Sequence, residues 1–170
     1  MSGARPLVTC ERVVKLYRMG AHEVAAVRDV TLTIGEGEYV AVMGPSGSGK
    51  STLLNLLAGI DRPTKGDVSV MSTALGNLSE SQLASWRNRH VGYIFQSFNL
   101  WETLSVEENI ELTLNMAGVS GAQAKNRART LLEDRGLGAR LQFRARDLSG
   151  GEKQRVSIAR ALANEPGLLL

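Results

Sequence analysis

Cysteine is nearly absent: Cys10 is the only one. No internal disulfide can form, and a single thiol in this setting reads as a small apolar residue rather than a reactive centre. Histidine is almost as scarce. His22 and His90 stand far apart with no cysteine or carboxylate at ligand spacing, which speaks against a structural zinc site. No hydrophobic run approaches the roughly 18 apolar residues of a membrane span. The start, Met1-Ser2-Gly3-Ala4-Arg5-Pro6, lacks the apolar core of a secretory signal. These absences predict a cytoplasmic protein whose membrane attachment, if any, comes through a partner. Internal repeats and low-complexity segments are also missing.

What remains is ordinary globular composition: 170 residues, 43% hydrophobic and 22% charged. That length suits one domain, or a large part of one, with enough chain to bury a core. The net charge of +3 permits weak attraction to anions without demanding it. Basic residues such as Lys125, Arg127 and Arg129 are spread along a helical pattern rather than gathered into a patch.

The informative stretch is Gly44-Pro45-Ser46-Gly47-Ser48-Gly49-Lys50-Ser51-Thr52, which fits G-x-x-x-x-G-K-[ST]. Before it, Tyr39-Val40-Ala41-Val42-Met43 predicts a short buried strand. After it, residues 51–58 predict a helix. Glycines at 44, 47 and 49 allow positive φ and let backbone N–H groups approach phosphate oxygens. A helix N-terminus beyond them favours an anion. Lys50 would reach the β- and γ-phosphates, and the Ser51 hydroxyl would ligate Mg²⁺. The pattern predicts a nucleoside triphosphate site.

Elsewhere the chain reads as strands and turns over 7–34, with a polar loop at 18–23. A turn at 35–38, a loop at 61–66 and a strand at 67–71 follow. Ser79 with Gln82 predicts a capping box for a helix to residue 89, and residues 91–95 a strand closed by Gln96. Ser105 caps a helix over 106–116, with Glu107 and Glu108 where the dipole favours them. Residues 122–135 predict a polar, exposed helix, and 136–146 a basic irregular stretch.

A second constellation lies at Leu148-Ser149-Gly150-Gly151-Glu152-Lys153-Gln154-Arg155, followed by the helical periodicity of 156–162. Ser149, Gly150 and Gly151 thus stand at a second helix N-terminus able to face an anion.

On these residues the sequence resembles the ATP-binding cassette (ABC) ATPases. Residues 44–52 look like their Walker A motif and 148–154 like their signature. Gln96 looks like the Q-loop glutamine, and Tyr17 stands where the family places the aromatic that stacks on adenine. Residues 95–110 and 148–162 look most like the branch serving lipoprotein release and macrolide export. Trp101-Glu102 departs from that branch's Leu-Pro, and Ala145 from a common proline.

The resemblance implies an α/β fold: a P-loop NTPase core sheet, an N-terminal antiparallel β region, and a helical signature subdomain at about 78–160. The nucleotide-binding domain would cover 1–170 and stay incomplete at its C-terminal side. ATP and Mg²⁺ are the implied cofactors. Two such domains would pair head to tail as a homodimer, each ATP lying between one chain's Walker A and the other's signature. Ser51 and Gln96 would bind Mg²⁺, Gln96 would also lie near the attacking water, and Ser149 and Gly151 would contact the γ-phosphate held by the other chain. The segment after Gln96, with Phe98, Leu100 and Trp101, would meet an integral membrane permease subunit at the cytoplasmic face. No nucleic-acid partner is expected.

Leu168-Leu169-Leu170 predicts the start of an apolar strand. In the family that strand is Walker B, ending in an Asp for Mg²⁺ and a Glu for the attacking water. Neither is among the 170 residues, so the resemblance implies that they alone do not turn ATP over.

Overall fold

The computed structural model describes residues 5–20 and 22–170. Residues 1–4 and Ala21, the latter inside the loop expected at 18–23, lie outside the described residues. The chain divides into two compact units, one ending at Ala84 and the other covering Ser85–Leu170.

The first unit is built on a four-stranded antiparallel sheet in the order β2-β1-β3-β4. Its strands are β1 (Pro6–Met19), β2 (His22–Gly35), β3 (Lys65–Val70) and β4 (Thr73–Ala74). This is the antiparallel region expected near the N-terminus. Buried positions on β1 run Val8, Cys10 and then Val13. Strict alternation would bury residue 12 instead. The pairing slips between Cys10 and Val13, and Arg12 takes a φ of 49°, so the bulge returns Val13 to the core. β3 passes so close to that bulge that a Cβ on Gly66 would strike the Glu11 and Arg12 carbonyl oxygens. Only glycine fits there.

Helix α1 (Lys50–Leu57) touches β2 and β3 and buries Leu53, Leu56 and Leu57. Fully burying a leucine side chain contributes roughly 1.5–3 kcal/mol, so this short helix is held by its apolar face rather than by propensity. Helix α2 (Glu80–His90) opens with the expected box: Ser79 N–H donates to Gln82 Oε1 at 2.8 Å, and Gln82 N–H to Ser79 Oγ at 3.3 Å.

The second unit is largely helical, with α3 (Val106–Met116), α4 (Gly121–Glu133) and α5 (Gly150–Leu162) around one core. Val106, Ile110 and Leu114 form the apolar stripe of α3; Val156, Ala159 and Ala163 form that of α5 and its C-cap. The helix at 121–133, expected to be polar and exposed, also buries a stripe of Ala124, Ala128 and Leu132. Alanine at two of those positions allows close helix approach, which a count of polar residues hides. The stretch at 136–146 is not wholly irregular, since short 3₁₀ turns form at Gly138–Arg140 and Ala145–Asp147.

Two short parallel strands, β5 (Val91–Gly92) and β6 (Leu168–Leu169), complete this unit. Their ladder continues through Leu170 N–H to the Gly92 carbonyl at 2.8 Å and Ile94 N–H to the Leu170 carbonyl at 2.7 Å. The strand begun at Leu168 is therefore present.

One expectation fails. Residues 39–43 form no strand; Tyr39 is 99% and Met43 88% exposed. A strand exists only as part of a ladder, and no described strand pairs with this segment. Its β-branched residues therefore supply propensity without a partner.

Candidate nucleotide site

Gly49 is the N-cap of α1 with φ 91°, a left-handed value that L side chains avoid. A Cβ at this position would run into the Ala26 carbonyl oxygen of β2, so close approach and backbone sign both demand glycine. α1 has no side-chain cap and no acidic residue in its first turn. Its first amides therefore lack the partner that a helix start normally finds in its own sequence. The other candidate helix starts are built differently. Ser105 caps α3 through a reciprocal box with Glu108, and Ser149 caps α5 through one with Glu152. Of the three, α1 alone keeps its positive end clear of a protein carboxylate, as an anion site requires.

The Lys50 ammonium folds back over the loop, donating to the Pro45 carbonyl at 2.7 Å and the Gly44 carbonyl at 3.0 Å. Loop and lysine together close one side of a cavity of about 550 Å³, whose other walls include Ala25–Arg28 of β2 and Val42 and Met43. That volume suits a small-molecule ligand. Its lining holds Arg28 and Lys50 and no acidic residue, so its field favours an anion. Ser51 and Thr52 are exposed or half-exposed in the first turn of α1. No group of three His, Cys, Asp or Glu side chains that could hold a metal occurs among the described residues. An Mg²⁺ ion taken up with phosphate oxygens needs only one or two protein oxygens, and Ser51 carries an exposed hydroxyl in the first turn of α1.

Tyr17 also belongs to the first unit, on β1 opposite Val24, but it does not line the cavity. Its hydroxyl donates to Asp61 Oδ2 at 2.7 Å, and the Thr52 hydroxyl lies beside it. Burial, and then the Asp61 carboxylate, raise the phenol's pKa. Burial alone would raise the Asp61 carboxyl, but hydrogen bonds from Lys15, Tyr17 and the Arg62 N–H outweigh it and lower the pKa. Asp61 and Lys15 are neighbours of Tyr17 that sequence reading passed over. Asp61 sat in a stretch assigned to loop by composition, and nothing local marks it.

The remaining expected residues lie in the second unit. Gln96 is exposed in a turn just after β5. Phe98 and Asn99 follow with φ of 62° and 48°, and the buried Arg160 guanidinium donates to both carbonyl oxygens, at 2.7 Å and 2.5 Å. Leu100 packs on the helical core, whereas Trp101 remains 44% exposed. Asn109, fully buried, holds the Trp101 backbone through both its N–H and its carbonyl.

At the start of α5, Ser149 Oγ accepts from Glu152 N–H at 3.3 Å and donates to Glu152 Oε2 at 2.8 Å. The Ser149 backbone and hydroxyl bonds, with Arg140 beside them, push the Glu152 carboxyl down to about 2. The box leaves the Gly150 and Gly151 amides outside it.

Comparison with known proteins decides the family. The ABC transporter family model matches residues 27–170. The chain belongs to the ABC transporter ATP-binding family. It is 50% identical over 156 residues, 92% of this chain and 67% of the relative, to an uncharacterized ABC transporter ATP-binding protein of Thermotoga maritima. It is 44% identical to the lipoprotein-releasing system ATP-binding protein LolD of Saccharophagus degradans, over 97% of this chain and 72% of that protein. Among solved structures it is similar to the ATP-binding cassette MJ0796 in a dimeric post-hydrolysis state bound to ADP and phosphate. The TM-score there is 0.89 at 40% identity, covering 95% of this ABC chain and 72% of the other.

Proposed function

We propose that this ABC protein is the ATP-binding subunit of a membrane transporter that exports or releases lipoprotein or peptide cargo, driven by ATP binding and hydrolysis. The observation that carries the reading is the start of α1: a helix N-terminus with no protein carboxylate, fronted by Gly49 and Lys50, opening on a cavity without acidic lining. Backbone groups of Gly44, Pro45, Ser46, Gly47, Ser48 and Gly49 cradle phosphates. Lys50 neutralises β- and γ-oxygens, with Thr52 alongside, and Tyr17 stacks on the base. Mg²⁺, when bound, would screen the triphosphate charge, and Ser51 is the residue of the first unit that would hold it.

The domain reading places a nucleotide-binding domain over 1–170, with the helical signature subdomain at about 78–160. A second copy of the chain supplies Ser149, Gly150 and Gly151 across the nucleotide; a relative's dimeric, ADP-bound cassette supports that arrangement. The permease meets the segment after Gln96, where half-exposed Trp101 supports a contact surface. Among the described residues no helix is long and apolar enough to cross a membrane, and attachment at the cytoplasmic face runs through that permease.

The test is nucleotide binding and Mg-ATP-dependent pairing, followed by fluorescence and light scattering, for the natural sequence and Lys50→Ala. The expected result is pairing on Mg-ATP and an affinity loss of at least about tenfold in the variant. Unchanged affinity in Lys50→Ala, with no pairing in either protein, overturns the reading.

A further inference from the structure

Resting on the assignment of Tyr17 to the nucleotide base, we infer that Asp61 is the positioning residue that sets the Tyr17 ring. Asp61 lies just beyond α1 and is tied to that helix by its N–H, which donates to the Asn55 carbonyl at 3.2 Å. Its two carboxylate oxygens divide their work. Oδ2 accepts the Tyr17 hydroxyl at 2.7 Å; Oδ1 accepts Lys15 Nζ at 2.5 Å and the Arg62 N–H at 2.7 Å. Lys15 also donates to the Arg62 carbonyl at 2.8 Å, so its ammonium is fixed from two sides.

The consequence is a ring with defined faces. The Lys15 ammonium stands 5.0 Å from the Tyr17 ring centroid, over one face. The ring remains 38% exposed, so a planar base would take the face away from Lys15. Asp61 holds the phenol at its far end, and that anchor is tied to the helix whose first turn meets the phosphates. The Tyr17–Asp61 bond, across 44 residues of sequence, thereby ties the base platform to the helix that follows the phosphate loop. A tyrosine held only by its backbone would sample several rotamers and lose part of the stacking energy to ordering.

The experiment measures the equilibrium affinity of the full chain for Mg-ATP and for inorganic tripolyphosphate, which has no base, by calorimetry. Tyr17→Phe removes only the hydroxyl and leaves the Lys15–Asp61 pair intact; Asp61→Ala removes the anchor. The expected result is a loss of about fivefold or more for ATP in each variant, with tripolyphosphate within about twofold. The double variant should be no weaker than the weaker single one. Equal losses for both ligands would mean a purely structural role and overturn the inference. So would an unchanged ATP affinity in Tyr17→Phe, which decides the matter alone if Asp61→Ala does not fold. Tyr17→Ala separates the underlying assignment. If it does not alter the preference for ATP over tripolyphosphate, base stacking by Tyr17 fails. If it does and Tyr17→Phe does not, only the role of Asp61 fails.

Discussion

Arg160, inside α5, donates from Nη2 to the Phe98 carbonyl oxygen at 2.7 Å, although 62 residues separate them in sequence. Its Nη1 takes the Asn99 carbonyl in the same way. Burial lowers the guanidinium's pKa, yet an arginine stays charged, and the two carbonyl dipoles compensate part of the desolvation. Both acceptors belong to residues at positive φ, so the fork holds a turn that the local sequence would not favour. Arg160→Ala should destabilise the chain by roughly 1.5–3 kcal/mol, because the Phe98 and Asn99 carbonyls lose a charged donor. Arg160→Lys should recover only part of this, since a point charge cannot match the planar fork. Urea unfolding of the two variants checks the order; equal stability of the three proteins would contradict it.

At the phosphate loop, Gly49→Ala brings a Cβ into the Ala26 carbonyl at a φ of 91°. The expected cost is about 2–4 kcal/mol from left-handed backbone and steric displacement together. Nucleotide affinity should fall as well, since α1 would start in a different direction. Thermal unfolding with and without Mg-ATP measures both effects. A variant that unfolds at the native temperature would show that the contact relaxes freely.

The Glu152 carboxyl titrates at about 2, against an ordinary glutamate value of 4.5. A depressed folded-state pKa stabilises the protein above the unfolded value, and that contribution is lost as pH falls through the folded one. The α5 cap should therefore persist through pH 4 and fail only near pH 2. Carboxyl chemical shifts followed by NMR between pH 1.5 and 6 test this, within about 1 unit of that midpoint. A midpoint near 4.5 would show that Ser149 and Arg140 do not hold the carboxylate in solution. Ser149→Ala should raise the midpoint and cost about 1 kcal/mol of stability through the lost cap.

Asn109 satisfies the Trp101 N–H, the Trp101 carbonyl and the Ser105 carbonyl from a fully buried position. Asn109→Ala should cost roughly 2–4 kcal/mol, since several polar groups are orphaned at once. Amide exchange should rise first in residues 100–105, ahead of the helical core. Uniform loss of protection across α3, α4 and α5 would count against a local role.

Sequence reading reached the helix starts because their chemistry is short-ranged. Ser79 and Gln82 stand three apart and their box forms as the spacing predicts; Ser105 caps its helix as expected, and the structure adds a reciprocal box with Glu108. Pairings across long separations left no such mark. Nothing near Asp61 announces Tyr17, and nothing near Arg160 announces Phe98. The Ala124, Ala128 and Leu132 stripe reads as weakly apolar until neighbouring helices lie against it.

From residues alone came the G-x-x-x-x-G-K-S loop, the glycine-led second helix start and the strands and turns over 7–34, because glycine freedom, capping and alternation act within a few residues. Folding in three dimensions settled the rest. It left residues 39–43 outside any ladder, shifted β1 by a bulge so that Val13 faces inward, and brought Arg140 against the Glu152 carboxylate. Hydrogen bonds and burial at those places depend on which distant atoms arrive, and no local pattern specifies their arrival.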